Sequence, residues 1–212
     1  IIVSDDLTQF YHIHPEDFGP ITDEMKKTGS YFLQGAFIRE GRYALALNFL
    51  HKNHEGVVRY GFTVGSDREP ALVKKDLSRT KQVDDLVISL ATEPENIRAG
   101  EESHLQYRVT NPDGEPIADL EPYLGAPMHI AVWSFDLEYF LHTHGEVAGF
   151  GHELASTARF GPNIDGHVIF PWPGLYKIIG EFSRGGLIYA ASFVVDVKPG
   201  SGTMSEAVSH NH

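Results

Sequence analysis

The 212-residue chain carries 29 acidic against 17 basic side chains, a formal charge of -12, and no cysteine. That balance repels a phosphate backbone over most of the surface and argues against nucleic acid as a partner. The missing thiols exclude disulfide frameworks, zinc fingers and iron-sulfur clusters, and no apolar run approaches the ~20 residues that span a bilayer.

In chain order, the opening IIVSDD reads as a strand rather than a signal peptide, so an exported protein would have shed its leader already. FYHIHPE (10–16) follows, and PEDFGPITDEMKK is the one helical candidate, with room for a turn or so before Gly29. Short runs rich in β-branched and aromatic residues predict strands at 43–50, 57–65, 85–93, 103–110, 129–135, 138–144, 167–172, 175–182 and 187–197. Turn formers such as NPDGEP (111–116), PWPG (171–174) and SRGG (183–186) punctuate them. The pattern predicts an all-β protein of two tandem immunoglobulin-like or cupredoxin-like sandwiches. The expected division is an incomplete repeat over 1–66, a charged linker over 67–82, a complete repeat over 83–198 and a flexible tail over 199–212.

Two domains are expected because the chain repeats itself. Residues 1–16 align with 131–146 at an offset of 130, placing Ser4, Asp6, Leu7, Phe10, His12, His14 and Glu16 on Ser134, Asp136, Leu137, Phe140, His142, His144 and Glu146. Phe37, Gly41 and Tyr43 fall on Phe170, Gly174 and Tyr176 at an offset of 133, and Phe62 on Phe193 at 131. The first repeat has no counterpart of residues 83–130, and the equivalent of His129 would stand just upstream of Ile1. Either this is a trimmed form, or strands from another chain fill the gap.

The repeated aromatic-x-His-x-His-x-Glu motif carries the chemistry. Side chains two apart on a strand share a face, so His142 and His144 project together, as do His12 and His14. A hairpin over 129–144 adds His129, which pairs with His142 if the turn centres between Phe135 and Asp136, or with His144 if it centres one residue later. Three imidazoles suit copper or zinc and not calcium or magnesium. His167, His152, Glu146 and, less favourably, Met128 are candidate fourth ligands. In the first repeat His51 and His54 are weak candidates to complete the His12/His14 pair, His104 reads as structural, and His210 and His212 lie on the tail. No phosphate loop, dinucleotide fingerprint or nucleophile elbow is present, so the chain does not read as an enzyme.

The segments AGEESHLQYRVTNPDGEPIADLEPYLGAPMHIAVWSFDLEYFLHTHGE, IFPWPGLYKIIGEF and FVVDV resemble a family of bacterial secreted sandwich proteins. Its pattern is YLGA-x-x-H, F-x-H-x-H-P, FP-x-x-G-x-Y and F-x-V. The resemblance implies a periplasmic or extracellular protein that handles copper or other heavy metals through His129, His142 and His144, with His12 and His14 as the counterparts in the first repeat. Gly145 departs from the pattern, which has proline there as at Pro15, and is expected to loosen the strand end. The expected function is metal storage, delivery or resistance. The alternative is a structural surface or filament subunit, with homo-oligomeric neighbours meeting at the incomplete repeat.

Overall fold

The computed structural model describes residues 1–52, 54–66, 72–151 and 154–200. Contacts divide the chain into two compact units, Ile1–Lys74 and Lys75–His212. Most of the expected tail, with His210 and His212, lies outside the described residues, as does His152. No described helix is long and apolar enough to cross a membrane.

The first unit is one antiparallel sheet of order β2-β1-β3-β4, built from β1 (Ile2–Ser4), β2 (Phe10–Tyr11), β3 (Gly41–His51) and β4 (His54–Val64). The β1–β2 turn is set by side chains. Ser4 Oγ donates to the Asp6 carboxylate and accepts the Gln9 N–H at 2.9 Å, Asp6 accepts the Thr8 N–H at 3.0 Å, and Leu7 takes a φ of 55°. The helical candidate resolves into a 3-10 turn at Pro15–Phe18 and a helix, α1 (Asp23–Thr28). Thr22 caps the α1 N-terminus by accepting the Met25 N–H, and Gly29 ends it in the left-handed conformation. Tyr11, Phe37, Tyr43 and Phe62 cluster on one sheet face, with ring centroids 5.0–5.7 Å apart for Phe37–Tyr43, Tyr11–Phe37, Phe37–Phe62 and Tyr43–Phe62. Among the described residues of this unit, no second sheet faces that surface.

The second unit contains β5 (Thr80–Val83), β6 (Leu86–Glu93), β7 (Glu102–Thr110), β8 (Leu120–Glu121), β9 (His129–Ser134), β10 (Phe140–His144), β11 (Asn163–Ile169), β12 (Gly174–Arg184) and β13 (Leu187–Val197). One sheet has the order β10-β9-β12-β13, with β8 beside β12, and the other has the order β11-β7-β6-β5. A single core fills the space between them. Leu105, Tyr107, Ile164 and Val168 enter it from one sheet, and Ile130, Val132, Ile178, Phe182, Phe193 and Val195 from the other. Each strand buries alternate residues there, so the intervening residues point away from the core.

Strand pairing in the two units follows the same offsets. Ile2 pairs with Tyr11 and Val3 with Phe10, as Val132 pairs with Leu141 and Trp133 with Phe140. The β3–β4 hairpin and the β12–β13 hairpin both pair 11-residue strands, Gly41 facing Val64 as Gly174 faces Val197. Tyr43 Oη donates to the Arg39 carbonyl at 2.8 Å and Tyr176 Oη to the Trp172 carbonyl at 2.9 Å. The offset of 133 therefore runs through the whole hairpin, and Phe62, which faces Tyr43, corresponds to Val195, which faces Tyr176. This corrects the match of Phe62 to Phe193. Two boundaries also differ from expectation. β5 begins inside the stretch read as linker, and β11 starts at Asn163 and stops at Ile169, short of the Phe170-Pro171-Trp172-Pro173 run whose prolines donate no ladder bonds.

Candidate metal centre

β9 and β10 position the histidines through the same side-chain turn as β1 and β2. Ser134 Oγ donates to Asp136 and accepts the Tyr139 N–H at 2.9 Å, Asp136 accepts the Glu138 N–H at 3.0 Å, and Leu137 has a φ of 63°. This turn selects the second of the two expected registers: His129 faces His144, and His142 faces Ala131. His129, His142 and His144 consequently share the sheet face that points away from the core. His129 is 4% exposed, His142 is half-buried and His144 is exposed.

The three rings form a triangle. Centroid separations are 4.6 Å for His129–His144 and 5.2 Å for both His129–His142 and His142–His144. An imidazole nitrogen about 2.0–2.1 Å from an ion puts its ring centroid about 3.2 Å away. Two rings on one ion then lie about 4.5 Å apart at a right angle and about 5.2 Å apart at the tetrahedral angle. All three separations fall close to that range. His129 Nδ1 and His142 Nε2 already stand 3.1 Å apart, near the ~3.3 Å edge of a tetrahedral site with such bonds.

The tautomer of His129 follows from its other contact. Nε2 lies 3.0 Å from the Tyr123 carbonyl oxygen, which only accepts, so in the neutral ring Nε2 carries the proton and Nδ1 presents its lone pair toward His142. That carbonyl is placed by the YLGA segment. Leu124 and Gly125 take φ values of 49° and 85°, and Tyr123 and Ala126 exchange backbone hydrogen bonds of 2.9 and 3.1 Å across them. The turn thereby holds His129 in the orientation that a metal ligand would need.

The other expected ligands scatter. Met128 is fully buried in the core cluster, its sulfur over Gly180. His167 lies on β11, in the opposite sheet, with its neighbours Gly166 and Val168 buried inward. It projects from the far side of the sandwich, so the expectation that it joins His129 is overturned. Glu146 leaves β10 and exchanges backbone hydrogen bonds of 2.7 and 2.9 Å with Asp165. A residue the sequence reading missed is Glu181, 8% exposed and directly opposite His129, which makes a row of His144, His129 and Glu181 across the sheet. Glu181 sits on the same face as a carboxylate able to ligate or to orient an imidazole. Only the pairing of β12 with β9 reveals it, since the two residues are far apart in sequence.

In the first unit β2 ends at Tyr11, so His12 and His14 are not strand neighbours as expected. Pro15 opens the 3-10 turn, and the Asp17 carboxylate accepts the His14 N–H at 2.8 Å. The two rings still meet, with His12 Nε2 and His14 Nε2 2.8 Å apart and centroids 4.4 Å apart. Burial, with the neighbouring His12, lowers the pKa of His14 against the pull of Asp17 and Glu16, and so favours the neutral ring that binds metal. His51 and His54 face each other at the tip of the β3–β4 hairpin, both exposed. They do not complete the pair: Ile1 binds the Ala46 carbonyl, and His51 lies five residues, about 16 Å, further along β3.

Residues 81–199 match the family model described as Domain of unknown function (DUF8832). The chain belongs to that family. The matched span holds the whole His129/His142/His144 hairpin, Glu181 and the YLGA turn. No curated protein and no solved structure matches the chain.

Proposed function

We propose that this member of the DUF8832 family is an exported copper-binding protein that stores copper, delivers it or protects against its excess. The observation that carries the reading is the triangle of His129, His142 and His144, three imidazoles with ring centroids 4.6–5.2 Å apart and the His129 tautomer held by the Tyr123 carbonyl. Nitrogen ligands without thiolate favour Cu(II) and Zn(II), and rule out a blue-copper site, which needs a cysteine. Likeness to secreted, copper-associated sandwich proteins in the YLGA-x-x-H and F-x-H-x-H stretches supports copper over zinc, and a periplasmic or extracellular location. The role is binding rather than catalysis.

Elemental analysis of the purified protein should find copper. The H142A/H144A variant, keeping only His129 of the triangle, should bind Cu(II) at least 100-fold more weakly, since loss of a single outer partner already costs 10–100-fold. Unchanged uptake by that variant would sink the proposal.

A second reading, a structural subunit that completes its first sandwich with a neighbour, is supported by the apolar face of the β3–β4 sheet. Leu47, Phe49 and Tyr60 on that face are 45%, 42% and 61% exposed.

A further inference from the structure

The far side of the second unit carries another pair of histidines. His104 on β7 and His167 on β11 are directly opposite each other in the antiparallel ladder, and both point away from the core because Ser103, Leu105, Gly166 and Val168 point into it. Their rings are 4.5 Å apart, edge to face at 64°. That separation matches the ~4.5 Å expected for two imidazoles bound at a right angle to one ion. Glu102, on the same face of β7, brings a carboxylate oxygen to 3.6 Å from His167 Nδ1.

The pair is not simply spread on open surface. His104 and His167 line a cleft of about 590 Å³ together with Gln106, Glu146, Asp165 and the 147–151 loop. The loop is anchored to β11 by the Glu146–Asp165 backbone hydrogen bonds, so the cleft wall and the imidazoles belong to one element pair. Two imidazoles with neighbouring carboxylates form a borderline, oxygen-and-nitrogen donor set. It selects Cu(II) or Zn(II) over Ca(II) or Mg(II), and the 4.5 Å ring separation is the one expected of two cis imidazoles in a tetragonal Cu(II) site.

We propose that His104 and His167 form a second copper site, with Glu102 orienting His167 and the remaining positions open to water or to a small anionic ligand in the cleft. The site lies on the opposite face of the sandwich from His129, His142 and His144, so it stands whether or not that triangle binds metal.

Isothermal titration of the full chain with Cu(II), in a buffer that does not chelate, separates the two. H104Q/H167Q should lose one Cu(II) equivalent relative to the wild type, and should lose the same equivalent again when introduced into H129A/H142A/H144A. E102Q should weaken this site about tenfold. Circular dichroism and the melting temperature establish that each variant is folded. If substitution at half-buried His104 unfolds the chain, H167Q alone, at the more exposed position, should weaken the same equivalent at least tenfold. Unchanged stoichiometry and affinity in folded H104Q/H167Q or H167Q would overturn the second site. Failure of the hairpin site reads differently, as H129A/H142A/H144A titrating like the wild type while H104Q/H167Q still loses its equivalent.

Discussion

Asp6 and Asp136 do the same work at equivalent places, each receiving a serine hydroxyl and a backbone N–H in the turn that sets a hairpin register. For Asp6 the balance of forces is explicit. Burial alone would raise its pKa, but hydrogen bonds from Ser4 and Thr8, with the Arg39 guanidinium at 3.1 Å, outweigh it and hold the carboxyl at about 2, below its ordinary 3.8. Between those values the unfolded chain binds more protons than the folded one, so stability rises with pH. The contribution is complete above about pH 4 and is lost as the pH falls through the folded value. The D6N substitution removes the charge-assisted acceptor and should cost the first unit about 1–2 kcal/mol at neutral pH. Urea unfolding followed between pH 6 and pH 3 should show the gap between wild type and D6N narrowing toward the acid end. A gap independent of pH would mean that the carboxylate charge contributes nothing to the turn.

At the level of elements, most strands and the histidine hairpin are legible because their signals are local: alternation, β-branched residues and turn formers. Even the choice between the two hairpin registers depended on one turn, and Ser134 and Asp136, already visible as repeat identities, are the residues that make it. Partners set by tertiary pairing were not legible. β5 has no pattern of its own and exists because Thr80–Val83 pairs with Leu86–Ser89 of β6. His104 meets His167, and Glu181 meets His129, only through cross-strand registers. Gly145 shows the same limit. Read as a departure that loosens the strand end, it is buried, donates its N–H to the Met128 carbonyl at 2.8 Å, and leaves no room for a side chain: a Cβ there would stand 2.5 Å from Ile164 Cγ2 and 3.0 Å from Met128 Cβ. Proline suits position 15, where the chain turns away into a 3-10 turn, and glycine suits 145, where it runs on against β11. G145A should therefore destabilise the second unit by about 1–3 kcal/mol through overpacking, and G145P by about 1 kcal/mol more through the lost hydrogen bond. Thermal unfolding measures the loss. Melting temperatures at or above the wild type in both variants would contradict the close packing at this strand end.

At the scale of the whole chain, one hairpin design is used twice with opposite surroundings. Phe49 and Phe182 are equivalent, as are Tyr60 and Phe193, yet Phe182 and Phe193 are 0% and 1% exposed while Phe49 and Tyr60 are 42% and 61% exposed. The difference is the β11-β7-β6-β5 sheet, which covers the second copy of the face and has no counterpart among the described residues of the first unit. The Phe49 ring lies over Gly56, where a Cβ would come within 2.6 Å of it, so even the bare copy is packed within its own sheet. An apolar sheet face of this kind gains free energy from any covering layer, at roughly 25 cal/mol per Å² of apolar surface removed from water. If a neighbouring molecule supplies that layer, sedimentation velocity should show species larger than the 23.6 kDa chain that grow with concentration. L47K/Y60K, which puts two charges on the face at side chains that are 45% and 61% exposed, should return the protein to monomer with its melting temperature little changed. Copper titration of the same variant should match the wild type, because neither substitution touches a histidine. A wild type that stays monomeric at every concentration would remove the structural-subunit reading and leave copper binding as the function to pursue.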